Sequence, residues 1–90
     1  MVQTLSITIS GKVQGVYYRQ SAKEKAQELG ITGSVKNLPN GDVFLMATGA
    51  PEQLKQLVEW CRIGPSRAVV NNVQVQQIEG RLFSGFTIQR

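Results

Sequence analysis

The chain predicts an α+β sandwich: strand, helix, two strands, helix, strand and a short C-terminal strand, with both helices on one face of an antiparallel sheet. Three observations lead there. Segments with period-two hydrophobicity alternate with two segments of helical period. Pro and Gly punctuate the boundaries between them. The 90 residues hold one hydrophobic core with no room for a second, so a single domain spanning 1–90 is expected. A chain of this length buries roughly 60–65% of its unfolded surface, enough for two layers without a metal or disulfide staple.

The elements follow in order. From Leu5 to Ser10 the chain alternates strictly, with Leu5, Ile7 and Ile9 on one face, which predicts strand 1. Gly11 and Gly15 bracket a loop of about eight residues before the pattern turns helical. Between about Tyr18 and Leu29, Ala22, Ala26 and Leu29 fall at i, i+4 and i+7, and Lys23, Glu24, Lys25, Gln27 and Glu28 cover the other faces. Ser21 and Glu24 have capping-box spacing, so a start at Ser21 competes with one two or three residues earlier. Gly30 suits the C′ position that ends this helix. Strand 2 is expected over Ile31 to Asn37, and the Leu38-Pro39-Asn40-Gly41 turn carries the chain into strand 3, Val43 to Thr48. Pro51 fits N1 of a second helix. Leu54, Leu57, Val58 and Cys61 form its apolar stripe, and Gly64-Pro65 stops it. Strand 4 is expected from about Ala68 to Gln77, and a last short strand over Phe86 to Gln89.

Two right-handed β-α-β crossovers that share a hairpin give the ferredoxin-like sandwich with strand order 4-1-3-2. Strands 1 and 2 then point the same way. The loop 11–19 and Asn37 therefore meet at one end of the sheet. A site at that end combines a glycine-containing loop, an arginine and an amide. If the last strand hairpins back from strand 4, it also returns toward that end, and the carboxylate of Arg90 approaches Arg19.

Composition excludes much chemistry. With no histidine, a Ser-His-Asp triad, a Cys-His dyad and a His-ligated zinc site are impossible. Cys61 stands alone, which rules out an intrachain disulfide and every CxxC motif. The six carboxylates are dispersed, so no metal site and no cofactor are expected. Ten Lys and Arg against six Asp and Glu leave a net charge of +4, a field that favours anionic partners. None of these cations are adjacent, a pattern better suited to a small anion than to a polyanion. Neither a signal peptide nor a membrane span is visible, and the expectation is a soluble, cytoplasmic monomer.

Gly-Lys-Val-Gln-Gly-Val-Tyr-Tyr-Arg, residues 11–19, is the most informative segment. Between a strand and a helix N-terminus, successive backbone N–H groups can turn inward and form a concave anion site. Gly15 permits the backbone this needs, and Arg19 brings a bidentate donor to the same anion. A plain glycine turn followed by a surface arginine fits the same residues. Asn37 is open in the same way: it can cap the turn that follows, or hold a water near a bound phosphate. Tyr17 and Tyr18 brace the loop, and one of them edges the pocket. Cys61 is expected as a buried, inert thiol, Glu24 and Glu28 as a solvated face, and Phe44 and Met46 as cover for the outer face of the sheet.

The loop 11–19, followed fourteen residues after Arg19 by Gly33-Ser34-Val35-Lys36-Asn37 and then Gly41, resembles the acylphosphatase family. The family pattern is G-x-V-Q-G-V-x-x-R, then G-x-V-x-N with a glycine four residues on. GPSRAVV after the second helix and the terminal FTIQR are similar to its closing segments, so the resemblance spans nearly the whole chain. Ser34, Asn40 and Phe44 depart from it, standing where the pattern has Trp, Asp and Glu.

The resemblance implies hydrolysis of carboxyl-phosphate anhydrides to a carboxylate and inorganic phosphate. It implies that Arg19, with the backbone of Gly15, Val16, Tyr17 and Tyr18, binds the phosphate and that Asn37 positions the water. Phosphate or sulfate would compete with substrate. Two other functions fit a fold of this kind. Single-stranded RNA binding needs an aromatic-rich strand, and only Phe44 is offered. A silent sensor of a phosphorylated metabolite would need Arg19 but not Asn37.

Overall fold

The alternating apolar residues Leu5, Ile7 and Ile9 fall in β1 (Gln3–Lys12), in which Ile7 and Ile9 are completely buried. In a computed structural model of the chain, which describes residues 1–89, six elements follow: α1 (Tyr18–Glu28), β2 (Thr32–Asn37), β3 (Val43–Gly49), α2 (Pro51–Cys61), β4 (Val69–Ile78) and β5 (Phe86–Ile88). The strands form one sheet in the order β4-β1-β3-β2-β5. The expected 4-1-3-2 order therefore holds for the first four. Among the described residues, no helix is long and apolar enough to cross a membrane.

Register follows from the hydrophobic alternation. Ile7 pairs with Leu45, Leu45 with Val35 and Val35 with Ile88. Residues paired directly across strands share a face, so one apolar row crosses the sheet beneath the helices. Above it, α1 packs on β2 and β5, and α2 packs on β1, β3 and β4. Ala22 and Ala26 of α1 and Leu54, Leu57 and Cys61 of α2 complete the core. Each fully buried Leu or Ile contributes roughly 1.5–3 kcal/mol. On the outer face, the Lys36 ammonium lies 5.8 Å from the centre of the Phe44 ring. The Arg81 guanidinium reaches the Met46 sulfur at 3.7 Å.

Two helix ends are as the sequence predicts. Gly30, at φ 72°, closes α1 with paired bonds: its N–H donates to the Gln27 carbonyl at 3.1 Å, and the Ile31 N–H donates to the Ala26 carbonyl at 2.9 Å. Pro51 occupies the first turn of α2.

One open alternative is decided and two details differ from expectation. The Ser21–Glu24 capping box is not used: α1 already begins at Tyr18, and the Ser21 N–H donates within the helix to the Tyr17 carbonyl at 3.1 Å. Tyr18 must lie in the first turn to bury its ring, and that burial outweighs a cap worth about 1 kcal/mol. Gly11 does not start the loop. It lies in β1 at a bulge against β4, with φ 130°, where any Cβ would run into the Val69 carbonyl oxygen. Finally, the sheet is mixed. β5 does not hairpin onto β4 but crosses to the far edge and pairs with β2 in parallel. The crossing is held by two threonines: the Arg81 N–H donates to Thr4 Oγ1 at 3.0 Å, and Thr48 Oγ1 donates to the Arg81 carbonyl at 2.8 Å. β5 still runs toward the end where β1 and β2 finish. The expected approach of the Arg90 carboxylate to Arg19 lies outside the described residues.

Candidate active site

Five residues, Val13 to Tyr17, join β1 to α1. Gly15 has φ 73° and Tyr17 has φ 67°, while Val16 between them has negative φ. Alternating signs of φ are what an anion nest requires, since they allow successive N–H groups to turn toward one point. The loop leads into the first turn of α1, whose own N–H groups lack intrahelical acceptors and carry the positive end of the helix dipole. Gly15 adopts its conformation without cost. For Tyr17 the left-handed conformation costs roughly 1–2 kcal/mol. Strain of this kind gathers at functional sites. Tyr17 is the one non-glycine residue with positive φ among those described.

The two neighbours of Tyr17 anchor the loop. Val16 is buried at 6% exposure, so its side chain serves the core and only its peptide group faces the loop. Tyr18 is buried as well. Its ring lies 5.3 Å from that of Trp60 with 56° between the planes, and its hydroxyl donates to the Cys61 carbonyl at 2.8 Å. Tyr17 projects outward at 66% exposure. The two tyrosines thus divide the expected roles, with Tyr18 bracing and Tyr17 edging the pocket.

Asn37 arrives from the other side. In β2 it pairs with Val43, which pairs with Ile9, so Asn37 occupies the core-facing row one step beyond Val35. At that step the core ends. A polar side chain on a buried row needs a partner, yet Asn37 Oδ1 is buried and accepts no hydrogen bond among the described residues.

An open cavity of about 330 Å³ lies between these groups, lined by Val13, Gly15, Tyr17, Tyr18, Arg19, Gln20, Asn37 and Ile88. It brings together Gly15, Tyr17, Tyr18, Arg19 and Asn37 of the residues singled out in the sequence; Val16 does not line it. Arg19 projects from the first turn of α1 and has no carboxylate partner among the described residues, where the ion pair formed is Lys25–Glu28 at 3.6 Å. Sequence reasoning misses Val13, Gln20 and Ile88. Val13 lies inside the motif 11–19 and Gln20 directly follows it, so proximity could have flagged both. Ile88 carries no signal, because its place depends on which edge β5 joins.

The remaining candidates have structural roles. Cys61 is fully buried, and burial pushes its thiol up to about 12. Burial likewise pushes the Tyr18 hydroxyl far above its ordinary value. Both groups stay protonated at neutral pH and neither is a nucleophile. Glu24 accepts a hydrogen bond from Gln20 Nε2 at 3.1 Å on the exposed face of α1. Among the described residues, no three Asp, Glu or Cys side chains converge on a point that could hold a metal ion.

The family model described as Acylphosphatase matches residues 5–88. An acylphosphatase of Marinobacter nauticus is 58% identical over 72 residues, covering 80% of this chain and 78% of the relative. One from Coxiella burnetii is 45% identical over 85 residues, covering 94% of this chain and 90% of the relative. Among solved structures, an acylphosphatase from Coxiella burnetii superposes with a TM-score of 0.95 at 43% identity, covering 98% of this chain and 93% of that one. The crystal structure of acylphosphatase from Bacillus subtilis gives a TM-score of 0.94 at 27% identity over 100% of both chains. A match of this extent, over the same residues that build the cavity, places the chain in the acylphosphatase family.

Proposed function

We propose that residues 1–90 form a single acylphosphatase domain that hydrolyses carboxyl-phosphate anhydrides in this cavity, with Arg19 and the backbone of residues 15–19 binding the phosphate and Asn37 positioning the water. One observation carries the reading: a cationic side chain, a loop with positive φ at Gly15 and Tyr17, and a buried amide oxygen with no hydrogen-bond partner among the described residues border a single cavity. A buried acceptor left unpaired costs roughly 1–3 kcal/mol. A water that donates one hydrogen to Asn37 Oδ1 removes that penalty and is left with an oxygen lone pair free for attack.

The chemistry needs no protein nucleophile. Water forms a bond to phosphorus as the bond from phosphorus to the acyl oxygen breaks, and the carboxylate leaves with the electron pair. The attacking water passes a proton to a phosphate oxygen, so the lack of histidine is no obstacle. In the loose transition state the phosphoryl charge is spread over three equatorial oxygens, where the Arg19 guanidinium and the N–H groups meet it, while the leaving carboxylate takes up the electron pair. Positioning the water replaces a bimolecular encounter with a held one.

Small anions that fit the same cradle, inorganic phosphate and sulfate, compete with substrate. No step calls on a metal ion, and the protein works as a cytoplasmic monomer. The test is phosphate release from a simple acyl phosphate, with a phosphomonoester as control and EDTA in a parallel reaction. Turnover of the acyl phosphate alone, undiminished by EDTA, is expected. Equal turnover of both substrates, or loss in EDTA that Mg²⁺ restores, overturns the reading.

A further inference from the structure

We infer that Gln14 is a positioning residue that sets the distance between the phosphate loop and Asn37; the inference rests on the reading above. Gln14 is half-buried at the base of the loop, one residue before Gly15. Its Nε2 group donates both of its hydrogens to the β2–β3 turn, to the Leu38 carbonyl at 2.9 Å and to the Asp42 carbonyl at 2.9 Å. Leu38 directly follows Asn37, and Asp42 directly precedes Val43, the residue paired with Asn37. Those two residues also hold each other, since the Leu38 N–H donates to the Asp42 carbonyl at 2.8 Å. One side chain from the β1–α1 loop therefore grips both ends of the β2–β3 turn, next to Asn37.

Among the described residues, no other hydrogen bond joins the loop 13–17 to the hairpin turn 38–42. Among the same residues, Asn37 accepts no bond at its amide oxygen that would hold it in place. The separation of the bound phosphate from the bound water is the separation of loop from hairpin, and an in-line attack is sensitive to it. Displacement of a reacting group by about 1 Å can cost on the order of 10²-fold in rate. The fork of an amide suits this position. Two fixed N–H groups meet two carbonyls, whereas a carboxylate there would face both with acceptors only.

The test is a double-mutant cycle read in kcat, KM and phosphate affinity. Gln14→Met keeps the length and removes both donors. We expect kcat to fall roughly 10–10²-fold, with phosphate inhibition constant and KM changed little, because the cradle itself is intact. In an Asn37→Ala background the same substitution should leave kcat unchanged, since no positioned water remains to misplace. Gln14→Lys, whose ammonium can donate to both carbonyls, should recover part of the loss. Unchanged kcat in Gln14→Met, an undiminished fall in the Asn37→Ala background, or a loss confined to phosphate affinity each overturns the inference. If Gln14→Met does not fold, Gln14→Glu is read in the same cycle against the same outcomes. Failure of Asn37→Ala itself to lower kcat would instead overturn the proposed role of Asn37, which keeps the two failures distinct.

Discussion

The Tyr18 hydroxyl donates to the Cys61 carbonyl at 2.8 Å and thereby joins the first turn of α1 to the last turn of α2. Tyr18 stands between the strained Tyr17 and Arg19, so the bond reaches into the site. The helix turn that presents Arg19 is held from behind by a carbonyl of the other helix. The ring adds a tilted contact with Trp60. Arg19 therefore projects from a turn whose position is decided by packing between helices rather than by a side-chain cap, which α1 lacks.

Removing that hydroxyl should cost stability. Tyr18→Phe keeps the ring and its contact with Trp60 but leaves the Cys61 carbonyl without this donor. A loss of about 1–3 kcal/mol is expected, the scale for an unpaired buried acceptor. Urea denaturation measures it. A midpoint equal to the parent's would show that the two helices do not depend on the bond.

Alkaline pH should destabilise the fold through Cys61. Its thiol titrates near 9.0 when free and is pushed up to about 12 in the folded chain. Between those values the unfolded chain loses a proton that the native chain keeps, so unfolding is favoured as pH rises. Stability should be intact below pH 9, decline above it by up to about 1.4 kcal/mol per pH unit from this group, and stop declining from this cause past about pH 12. Tyr18, raised in the same direction by burial, adds its own decline above pH 10, its ordinary value. Melting scans from pH 8 to 11 for the parent and Cys61→Ala test this. The variant should lack the part of the fall that begins near pH 9, and parallel curves would refute the assignment.

Arg19 and Asn37 should fail differently. In the proposed mechanism Arg19 meets the phosphate in both ground and transition states, whereas Asn37 acts on a water that matters as reaction proceeds. Interactions realised in the transition state appear in kcat, and uniform binding appears in KM. Asn37→Ala should lower kcat by roughly 10²–10³, or about 3–4 kcal/mol, and still bind phosphate. Arg19→Ala should lose phosphate binding and turnover together. Both should melt close to the parent. Calorimetric phosphate titration beside steady-state kinetics measures the contrast; Asn37→Ala with normal kcat and no phosphate binding would reverse the roles.

Free anions should stabilise the protein. An anion that binds only the folded chain raises its stability by RT ln(1 + [L]/Kd), about 2.7 kcal/mol at one hundred times Kd. Tm should climb with phosphate or sulfate concentration, and the same salts should inhibit competitively. Arg19→Ala should show neither effect. Chloride at equal ionic strength separates specific binding from screening. A shift as large in chloride, or inhibition that excess substrate does not relieve, would place the anion elsewhere.

Local chemistry by itself determined most of this protein. Period-two and helical alternation, Gly30 and Pro51 at helix ends, and the Leu38–Gly41 turn each need only a few neighbouring residues to act. Two crossovers of fixed hand then brought the loop 11–19 and Asn37 to one end of the sheet. The tertiary structure decided what depends on distant pairing. Ser21 and Glu24 are a sound cap in isolation, but the buried Tyr18 ring starts the helix three residues earlier. Gly11 reads as a loop glycine until β4 lies against it and makes it a bulge. β5 could close either edge of the sheet, and Thr4 and Thr48, 44 residues apart, hold the Arg81 backbone and send it to β2. That crossing places Ile88 in the cavity. Nothing near Ile88 in the sequence encodes it, because strand pairing is an interaction between segments and not a property of one.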